Sequence, residues 1–251
     1  MRSYAIGDIH GHLDLLRAAH ARIMADKAAC GDTDAPIVHI GDLCDRGPDS
    51  RGVIEYLAQG IAAGENWAVL KGNHDRMFTM FLDNPMAQDP GLRNEFSYLH
   101  PRIGGSTTLA SYGVANALDR PLAPVHTQAV AAVPAHHRAF LTSRPTLFTR
   151  GEVVFAHAGL RPGVALDAQT EDDLCWIRDP FLGFRGDFPG FLVHGHTALP
   201  AAVNYGNRTN IDSSAAYGGP LTAVVIEGRA MSILADSGRI ALLPTPDAPI
   251  R

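Results

Sequence analysis

Three apolar segments in the first third of the chain are each followed by a short polar turn, and this order constrains the fold more than any other feature. The turns are GDIHG at residues 7–11, GDLCDRG at 41–47 and GNHD at 72–75. Since parallel strands deliver their ends to one edge of a sheet, the three turns should meet there. Carboxylate, imidazole and amide oxygens would then converge, a donor set that suits divalent transition metals better than calcium. The residues that supply these donors are Asp8, His10, Asp42, Asn73 and His74.

Strand and helix patterns alternate over this first third. Each strand is a short apolar run, and each helix shows apolar residues recurring along one face. A strand–helix repeat implies right-handed crossovers and neighbouring parallel strands. We predict strands at 3–6, 36–40 and 67–70, and helices at 12–27, 48–63 and about 75–82.

The pattern changes from residue 84 to about residue 144. This segment contains several turns, a break at Gly104-Gly105-Ser106-Thr107 and two short predicted helices at 129–133 and 135–141. We interpret it as a cap or insertion within a single domain that spans residues 1–251.

Strands dominate the rest of the chain, which ends in a proline-rich tail at 244–251 that we expect to be loosely packed. So many strands favour a second sheet. The predicted fold class is therefore α/β, with two mixed β-sheets packed as a sandwich and helices outside. The predicted strands are 146–149, 152–156, 191–193, 202–205, 221–227, 230–235 and 239–243.

Composition and charge argue against several classes of partner and compartment for this chain. The formal net charge is −5 and no run of Lys or Arg occurs, so we expect no nucleic-acid surface. The three cysteines form no CxxC pair, which argues against a disulfide framework. The first motif begins at Gly7, leaving no room for a signal peptide, and no apolar run approaches the roughly 20 residues that span a bilayer. We expect a cytoplasmic protein without a membrane partner.

Two more polar turns follow apolar runs in the second half. They are HAG at residues 157–159 and HGHT at 194–197. A histidine at the end of a buried strand is well placed to join a metal site, which suggests His157 and His196. His194 has three open readings: a ligand, a partner of a ligand, or a residue that fills the strand end.

The five turns in this order resemble the phosphoprotein phosphatase branch of the calcineurin-like metallophosphoesterases, in particular the compact bacterial and phage serine/threonine phosphatases. The family pattern is GDxHG, GDxxDRG, GNH(D/E), H(A/G)G and GHT, and all five occur between residues 7 and 197. The stretch GGSTTLASYG at 104–113 is also similar to a segment of the bacterial subgroup.

The resemblance implies two divalent metal ions, for which manganese is our first expectation and iron or zinc are alternatives. Two dications against two carboxylates leave a local charge of roughly +2, which attracts a phosphate dianion. The pair would acidify a bridging water into the hydroxide that attacks phosphorus directly. The ligands that the resemblance assigns are Asp8 and His10 for one ion, Asp42 as the bridge, and Asn73, His157 and His196 for the other.

The resemblance also implies the remaining catalytic roles. His74 would donate a proton to the leaving group, and Asp45 would orient its imidazole. An alternative role for Asp45 is to cap the helix that begins near Pro48. Arg46, Asn73 and Arg178 would bind the phosphate of the substrate, the last through its place in a WIR segment.

The expected function is metal-dependent hydrolysis of phosphomonoesters, with a phosphorylated protein or a small phosphoester as the substrate. Serine/threonine phosphoproteins are favoured, and phosphotyrosine stays open. One alternative is a diadenosine tetraphosphate hydrolase or another nucleotide phosphoesterase; such hydrolases usually carry Gln where this chain has His10. A second is a non-catalytic binding module, although such modules usually lose ligands and none is missing here.

Two residues depart from the family pattern. Cys44 stands where family members usually carry Val; it is either a small buried residue or a redox-sensitive thiol. Ser214 stands where they usually carry Gly, and the sequence does not say whether this affects the site.

Overall fold

The first third of the chain forms the parallel strands that its pattern predicts. The computed structural model describes residues 1–249, and in it the first three strands lie side by side in parallel register. A helix follows each strand, and the two crossovers that join the three strands lead toward the same sheet edge. These elements are β1 (Arg2–Ile6), α1 (Leu13–Cys30), β2 (Ile37–His39), α2 (Ser50–Ala62), β3 (Trp67–Val69) and α3 (Asn73–Asp83).

Local chemistry sets the ends of these helices. The first helix ends at Gly31, which takes the left-handed conformation at φ 65°. The second is capped by Asp49, whose Oδ1 accepts a 2.8 Å hydrogen bond from the backbone N–H of Gly52. The cap of α2 is therefore Asp49, which leaves Asp45 free for another role.

The second half of the chain completes two mixed sheets. The added strands are β4 (Leu147–Arg150), β5 (Val153–Ala156), β6 (Phe191–His194), β7 (Val203–Asn204), β8 (Arg208–Asn210), β9 (Ala223–Glu227), β10 (Ala230–Ala235) and β11 (Gly238–Ala241). One sheet has six strands in the order β11-β10-β9-β1-β2-β3, and the other has five in the order β4-β5-β6-β8-β7. Together with the flanking helices they confirm the predicted α/β sandwich.

An apolar layer between the two sheets holds the sandwich together. Val38 and Val224 project into it from the first sheet, and Phe155 and Val193 meet them from the second. Each is buried, and burying a side chain of this size contributes about 1.5–3 kcal/mol. The sheets are therefore fixed against each other, which matters because both supply residues to one site.

The segment 84–144 is more helical than the sequence indicates. The predicted break at 104–107 is wrong: only Gly104 is left-handed, at φ 88°, and a helix starts at the next residue. The two predicted short helices are present and longer than expected. The segment contains α4 (Gly105–Ser111), α5 (Leu122–Ala132) and α6 (Ala135–Thr142), which contact α2 or α3.

Two elements in the second half were not predicted. Strand β8 is only three residues long and begins with a buried arginine, which hides its periodicity. Helix α7 (Glu171–Trp176) is six residues long, and its cap is Thr170, whose hydroxyl accepts from the backbone of Asp173.

The tail that we expected to be loose is partly anchored, because the backbone N–H of Thr245 donates to the carbonyl of Asn204 at 2.7 Å. Residues 250 and 251 of that predicted tail lie outside the described residues. Across residues 1–249, no helix combines the length and apolar character needed to span a membrane.

Candidate active site

The predicted ligands follow the carboxyl ends of strands from both sheets. Asp8 comes two residues after β1, and Asp42 comes three residues after β2. Asn73 opens α3 after β3, while His157 and His196 follow β5 and β6. All are at most 9% exposed, so the strands deliver them into one buried cluster.

A continuous set of short contacts joins all six predicted ligands. Nε2 of His10 lies 3.4 Å from Oδ2 of Asp42, and Oδ1 of Asp42 lies 3.3 Å from Nε2 of His157. The side-chain oxygen of Asn73 lies 2.9 Å from ring nitrogens of both His157 and His196. Oδ2 of Asp8 accepts a 3.0 Å hydrogen bond from the backbone N–H of His196.

Backbone strain concentrates in the same cluster. Among the described residues, seven that are not glycine have positive φ, and five of these are predicted site residues. A left-handed residue with a Cβ costs roughly 1–2 kcal/mol, so tertiary packing holds these conformations. The five are His10 (φ 46°), Asp42 (48°), Asp45 (71°), Arg46 (68°) and His196 (65°).

Asp75 fixes two of the turns relative to each other. Its Oδ1 accepts from the backbone N–H of Leu43 at 2.9 Å, and its Oδ2 accepts from that of Gly72 at 2.8 Å. The absence of a side chain at Gly72 is also required, since a Cβ there would collide with the carboxylate of Asp42. Asp75 is therefore a positioning residue, and its place at the end of the GNHD motif is the sequence signal for it.

The carboxylates of Asp8 and Asp42 have different electrostatic surroundings. Burial, together with the carboxylates of Asp212 and Asp42, raises the pKa of Asp8 well above its usual value. Asp212 is thus a further buried carboxylate beside the cluster, at a position to which the sequence motifs gave no role. Burial opposes the ionisation of Asp42, but the adjacent His157 and His74 hold its pKa well below the usual value.

The histidines differ in the charge that they carry. Burial lowers the pKa of His10 and of His196 well below the usual value, so both imidazoles are neutral and offer lone pairs. Burial also disfavours the charged form of His157, but Asp42 outweighs it and raises that pKa to about 9.

The donor set fits a pair of divalent ions. Oδ1 of Asp8 and Nε2 of His196 are buried and have no hydrogen-bond partner in the described part of the chain. The side chains form two groups, and within each group all the ligand atoms lie within 4.8 Å of one another. The first group is His10, Asp42 and His74, and the second is Asp42, His157 and His196. The first group contains His74 where the resemblance assigns Asp8. Nitrogen and oxygen donors of this kind suit manganese, iron or zinc.

His74 and Asp45 form a buried pair beside the ligands. Nδ1 of His74 lies 2.7 Å from Oδ2 of Asp45, whose side chain is fully buried. The other oxygen of Asp45 accepts from the hydroxyls of Tyr98 at 2.8 Å and Thr108 at 2.7 Å. Thr108 lies in the segment 104–113 that is similar to the bacterial subgroup, whereas no sequence signal pointed to Tyr98.

A pocket of about 710 Å³ opens over the cluster. Nη1 of Arg46 donates to Nε2 of His10 at 2.9 Å, so this guanidinium lies directly over the ligand set. Arg178 follows α7 and also lines the pocket, with a pKa that burial lowers. The rim adds two aromatic and three basic side chains: Phe96, Trp176, Arg93, Arg102 and Arg161.

Comparison with known proteins identifies the family of this chain. Residues 1–225 match the family model of the calcineurin-like phosphoesterases. The chain belongs to this family. It is therefore a phosphoesterase with His and Asp clusters that could bind metal ions.

Its relatives have different activities. A bis(5′-nucleosyl)-tetraphosphatase PrpE from Anoxybacillus flavithermus is 27% identical over 87% of this chain and 88% of the relative. A serine/threonine-protein phosphatase 1 from Salmonella typhimurium is 28% identical over 89% of this chain and 91% of the relative. The structure of a cold-active protein-tyrosine phosphatase from a psychrophilic Shewanella species aligns with a TM-score of 0.61 and 18% identity, over 96% of this chain and 80% of that protein. That likeness concerns the fold.

The structure shows the surroundings of three residues whose roles the sequence left open. His194 is fully buried, packs edge-on against Phe181 at 4.9 Å and has a pKa that burial lowers to about 3. Burial raises the pKa of the Cys44 thiol well above its usual value, which disfavours the reactive thiolate. Ser214 is left-handed at φ 67°, which explains why glycine suits this position.

Proposed function

We propose that this phosphoesterase hydrolyses phosphomonoesters, with phosphoserine or phosphothreonine in a protein as the preferred substrate. The observation that carries the proposal is the buried His74–Asp45 pair, which stands beside the ligand cluster. An alkoxide leaving group needs a proton, and a histidine held by a carboxylate is suited to give one.

Binding of the phosphate falls to the residues over the cluster. When bound, two divalent ions would polarise the phosphoryl oxygens and supply the attacking water at neutral pH. Asp8, His10, Asp42, Asn73, His157 and His196 would hold them. Arg46 would turn from His10 toward the phosphate, where its planar fork can donate two hydrogen bonds. Arg178 faces the same pocket and would complete the clamp, with the side-chain amide of Asn73 as a further donor.

His74 would act on the leaving group. Its Nδ1 is taken by Asp45, which leaves Nε2 as the nitrogen available to the substrate. The proton on Nε2 would pass to the oxygen that leaves phosphorus, while Asp45 stabilises the charged imidazolium beforehand. Tyr98 and Thr108 keep Asp45 from rotating, so the orientation of His74 is preset.

Hydrolysis of a dinucleoside tetraphosphate is the second candidate. The identity to the PrpE relative supports it, as does a rim that presents Phe96 and Trp176 for stacking and Arg93 and Arg102 for a chain of phosphates. His10 weighs against it, because the resemblance associates such hydrolases with Gln at that position. We therefore place phosphomonoesters first.

The proposal also includes the domain organisation, the metal and the cellular compartment. The chain would work as one domain, in which the insertion 84–144 supplies Tyr98 and Thr108 to the site. Manganese would be the metal, and the cytoplasm would be the compartment.

A substrate panel tests the proposal. The protein, supplemented in turn with manganese, iron or zinc, is assayed on phosphoserine, phosphothreonine and phosphotyrosine peptides and on diadenosine tetraphosphate. We expect the highest kcat/KM on a phosphoserine or phosphothreonine peptide with manganese, and its loss in His74→Asn. Faster turnover of the dinucleotide than of every peptide would reject the preferred substrate, and metal binding without any hydrolysis would reject catalysis.

A further inference from the structure

A second group of metal-binding side chains lies outside the active site, between α2 and α6. Nε2 of His137 lies 2.6 Å from Oε2 of Glu55, and Nε2 of His136 lies 3.0 Å from the same oxygen. Two imidazole nitrogens thus converge on one carboxylate oxygen. All three ligand atoms lie within 4.8 Å of one another.

The surroundings orient these side chains as ligands. The other nitrogen of His137, Nδ1, lies 2.7 Å from the hydroxyl of Tyr112, which can donate or accept. Without a metal ion, Nε2 carries the proton that Glu55 accepts at 2.6 Å, and the hydroxyl of Tyr112 donates to Nδ1. A bound cation would take the place of the Nε2 proton, and the neutral imidazole would then carry its proton on Nδ1, where the hydroxyl accepts it. The free oxygen of Glu55, Oε1, accepts from the amide of Gln59 at 2.7 Å. Hydrogen-bond partners of this kind fix ligand orientation in metal sites.

The protonation states also suit a cation. Hydrogen bonds from His136 and His137 lower the pKa of Glu55 to about 2, so it is ionised. Burial lowers the pKa of His137 and outweighs the hydrogen bond to Glu55, which acts in the opposite direction. A neutral imidazole beside an ionised carboxylate is the state in which both residue types ligate metals.

Two of the three side chains are partly exposed, so an ion can reach the group from solvent and these side chains can move to bind it. The side chain of His136 is 59% exposed and that of Glu55 is 37% exposed, whereas His137 is fully buried. Ligands at about 2.0–2.1 Å from a tetrahedral ion are roughly 3.3 Å apart. The distance from Glu55 to His136 therefore needs to widen by about 0.3 Å and the distance to His137 by about 0.7 Å, which the partly exposed side chain of Glu55 allows.

We propose that Glu55, His136 and His137 form a surface site for one divalent transition ion of the zinc class, distinct from the ligand cluster of the active site. The ion would join α2 to α6 and so fasten the insertion 84–144 to the helices over the first sheet. Two histidines and one carboxylate with open positions form a donor set that such ions occupy in proteins.

Zinc binding to the full chain tests the site. The parent, His136→Ala and Glu55→Gln are dialysed against a series of free zinc concentrations and analysed for bound metal. His100→Ala, a histidine elsewhere in the insertion, is the matched control. Comparing variants separates this site from any zinc in the active-site cluster, and unchanged hydrolysis without added zinc would show that His136→Ala is folded.

We expect the parent and His100→Ala to bind one equivalent of zinc that does not belong to the active-site cluster. In His136→Ala and Glu55→Gln, the affinity for that equivalent should fall at least tenfold. Zinc should also raise the thermal midpoint of the parent by more than that of His136→Ala. Equal zinc equivalents and equal affinity in the parent and His136→Ala would overturn the proposal and leave the group as an ordinary pair of contacts to Glu55.

Discussion

The hydroxyl of Tyr98 donates a 2.8 Å hydrogen bond to Oδ1 of Asp45, whose other oxygen lies 2.7 Å from His74. Tyr98 is buried and belongs to the insertion 84–144 rather than to either sheet. The insertion therefore reaches the proposed proton donor through a single intervening side chain, and its packing affects how His74 is held.

Removing this hydroxyl should slow hydrolysis. In Tyr98→Phe, Asp45 keeps Thr108 but loses one of its two hydroxyl donors, and a hydrogen bond to a charged group contributes about 1.5–3 kcal/mol. We expect kcat on a phosphoserine peptide to fall roughly 5- to 20-fold, with KM little changed. Tyr112→Phe is the matched control, because its hydroxyl contacts His137 instead. Equal kcat values in the two variants would show that Tyr98 does not act through Asp45.

Replacing the proton donor should have an effect that depends on the leaving group. His74→Asn removes the proton on Nε2, and general acid catalysis contributes roughly 100- to 10,000-fold. We expect kcat on a phosphoserine peptide to fall at least 100-fold, and kcat on an aryl phosphate with a good leaving group to fall far less. His100→Asn serves as the control. Losses of similar size on both substrates would assign His74 to binding or structure.

Asp8 should stabilise the metal-loaded protein and destabilise the metal-free one. Its carboxylate is buried near Asp42 and Asp212, which raises its pKa. Asp8→Asn keeps an oxygen for the backbone N–H of His196 and removes the charge. In the presence of a chelator, we expect urea unfolding to show this variant to be more stable than the parent by roughly 1–2 kcal/mol. Bound metal, measured by elemental analysis, should fall. A less stable metal-free variant would contradict this account.

At position 214, glycine should give a more stable protein than alanine, which is the reverse of the usual order. Both Ser214→Ala and Ser214→Gly lose the 2.7 Å hydrogen bond from the serine hydroxyl to the carbonyl of Leu199. Only glycine also relieves the left-handed backbone, which costs roughly 1–2 kcal/mol for other residues and exceeds the entropy cost of glycine. We expect Ser214→Gly to be more stable than Ser214→Ala by about 0.5–1 kcal/mol in urea unfolding. The opposite order would mean that the backbone there is not strained.

A buried histidine pair should make stability depend on pH. Nε2 of His20 lies 2.9 Å from Nε2 of His39; burial lowers the pKa of His20 to about 4 and holds that of His39 well below its usual value. The unfolded chain binds protons near pH 6.5 and the folded chain does not, so this stability is present above pH 6.5 and is lost toward pH 4. The slope would reach about 1.4 kcal/mol per pH unit for each histidine.

The variant His20→Gln removes one of the two groups. We expect the free energy of unfolding to decline less steeply between pH 6.5 and pH 5 than in the parent, whereas His100→Gln should follow the parent. Parallel curves for the parent and His20→Gln would rule out the pair as the source of the slope.

The sequence predicts the sandwich and the convergence of the ligands because both follow from local rules. Apolar runs that end in polar turns define parallel strands, and parallel strands end at one edge, which is where Asp8, Asp42 and Asn73 meet. The extension of this edge to His157 and His196 depends on how the second sheet docks. Periodicity does not encode that docking; the strand-end positions of the two histidines suggested that they join the site, and the resemblance assigned them as ligands.

What the sequence missed depends on long-range contacts. Tyr98 reaches Asp45 across 53 positions, and Asp212 comes beside Asp8 only after β8 and β9 have joined different sheets. The short elements β8 and α7 carry too few residues for a periodic signal, and Arg208 at the start of β8 is polar yet fully buried. In these places packing, not local preference, decides the conformation.

Asp42 comes from the six-stranded sheet, whereas His157 and His196 come from the five-stranded one. With the ligands proposed above, neither half of the chain would assemble the centre by itself, and a nascent polypeptide would have no activity before residue 196 is made and the two sheets have packed together. Activity would then be a late event of folding, and its appearance during refolding would time the closure of the sandwich.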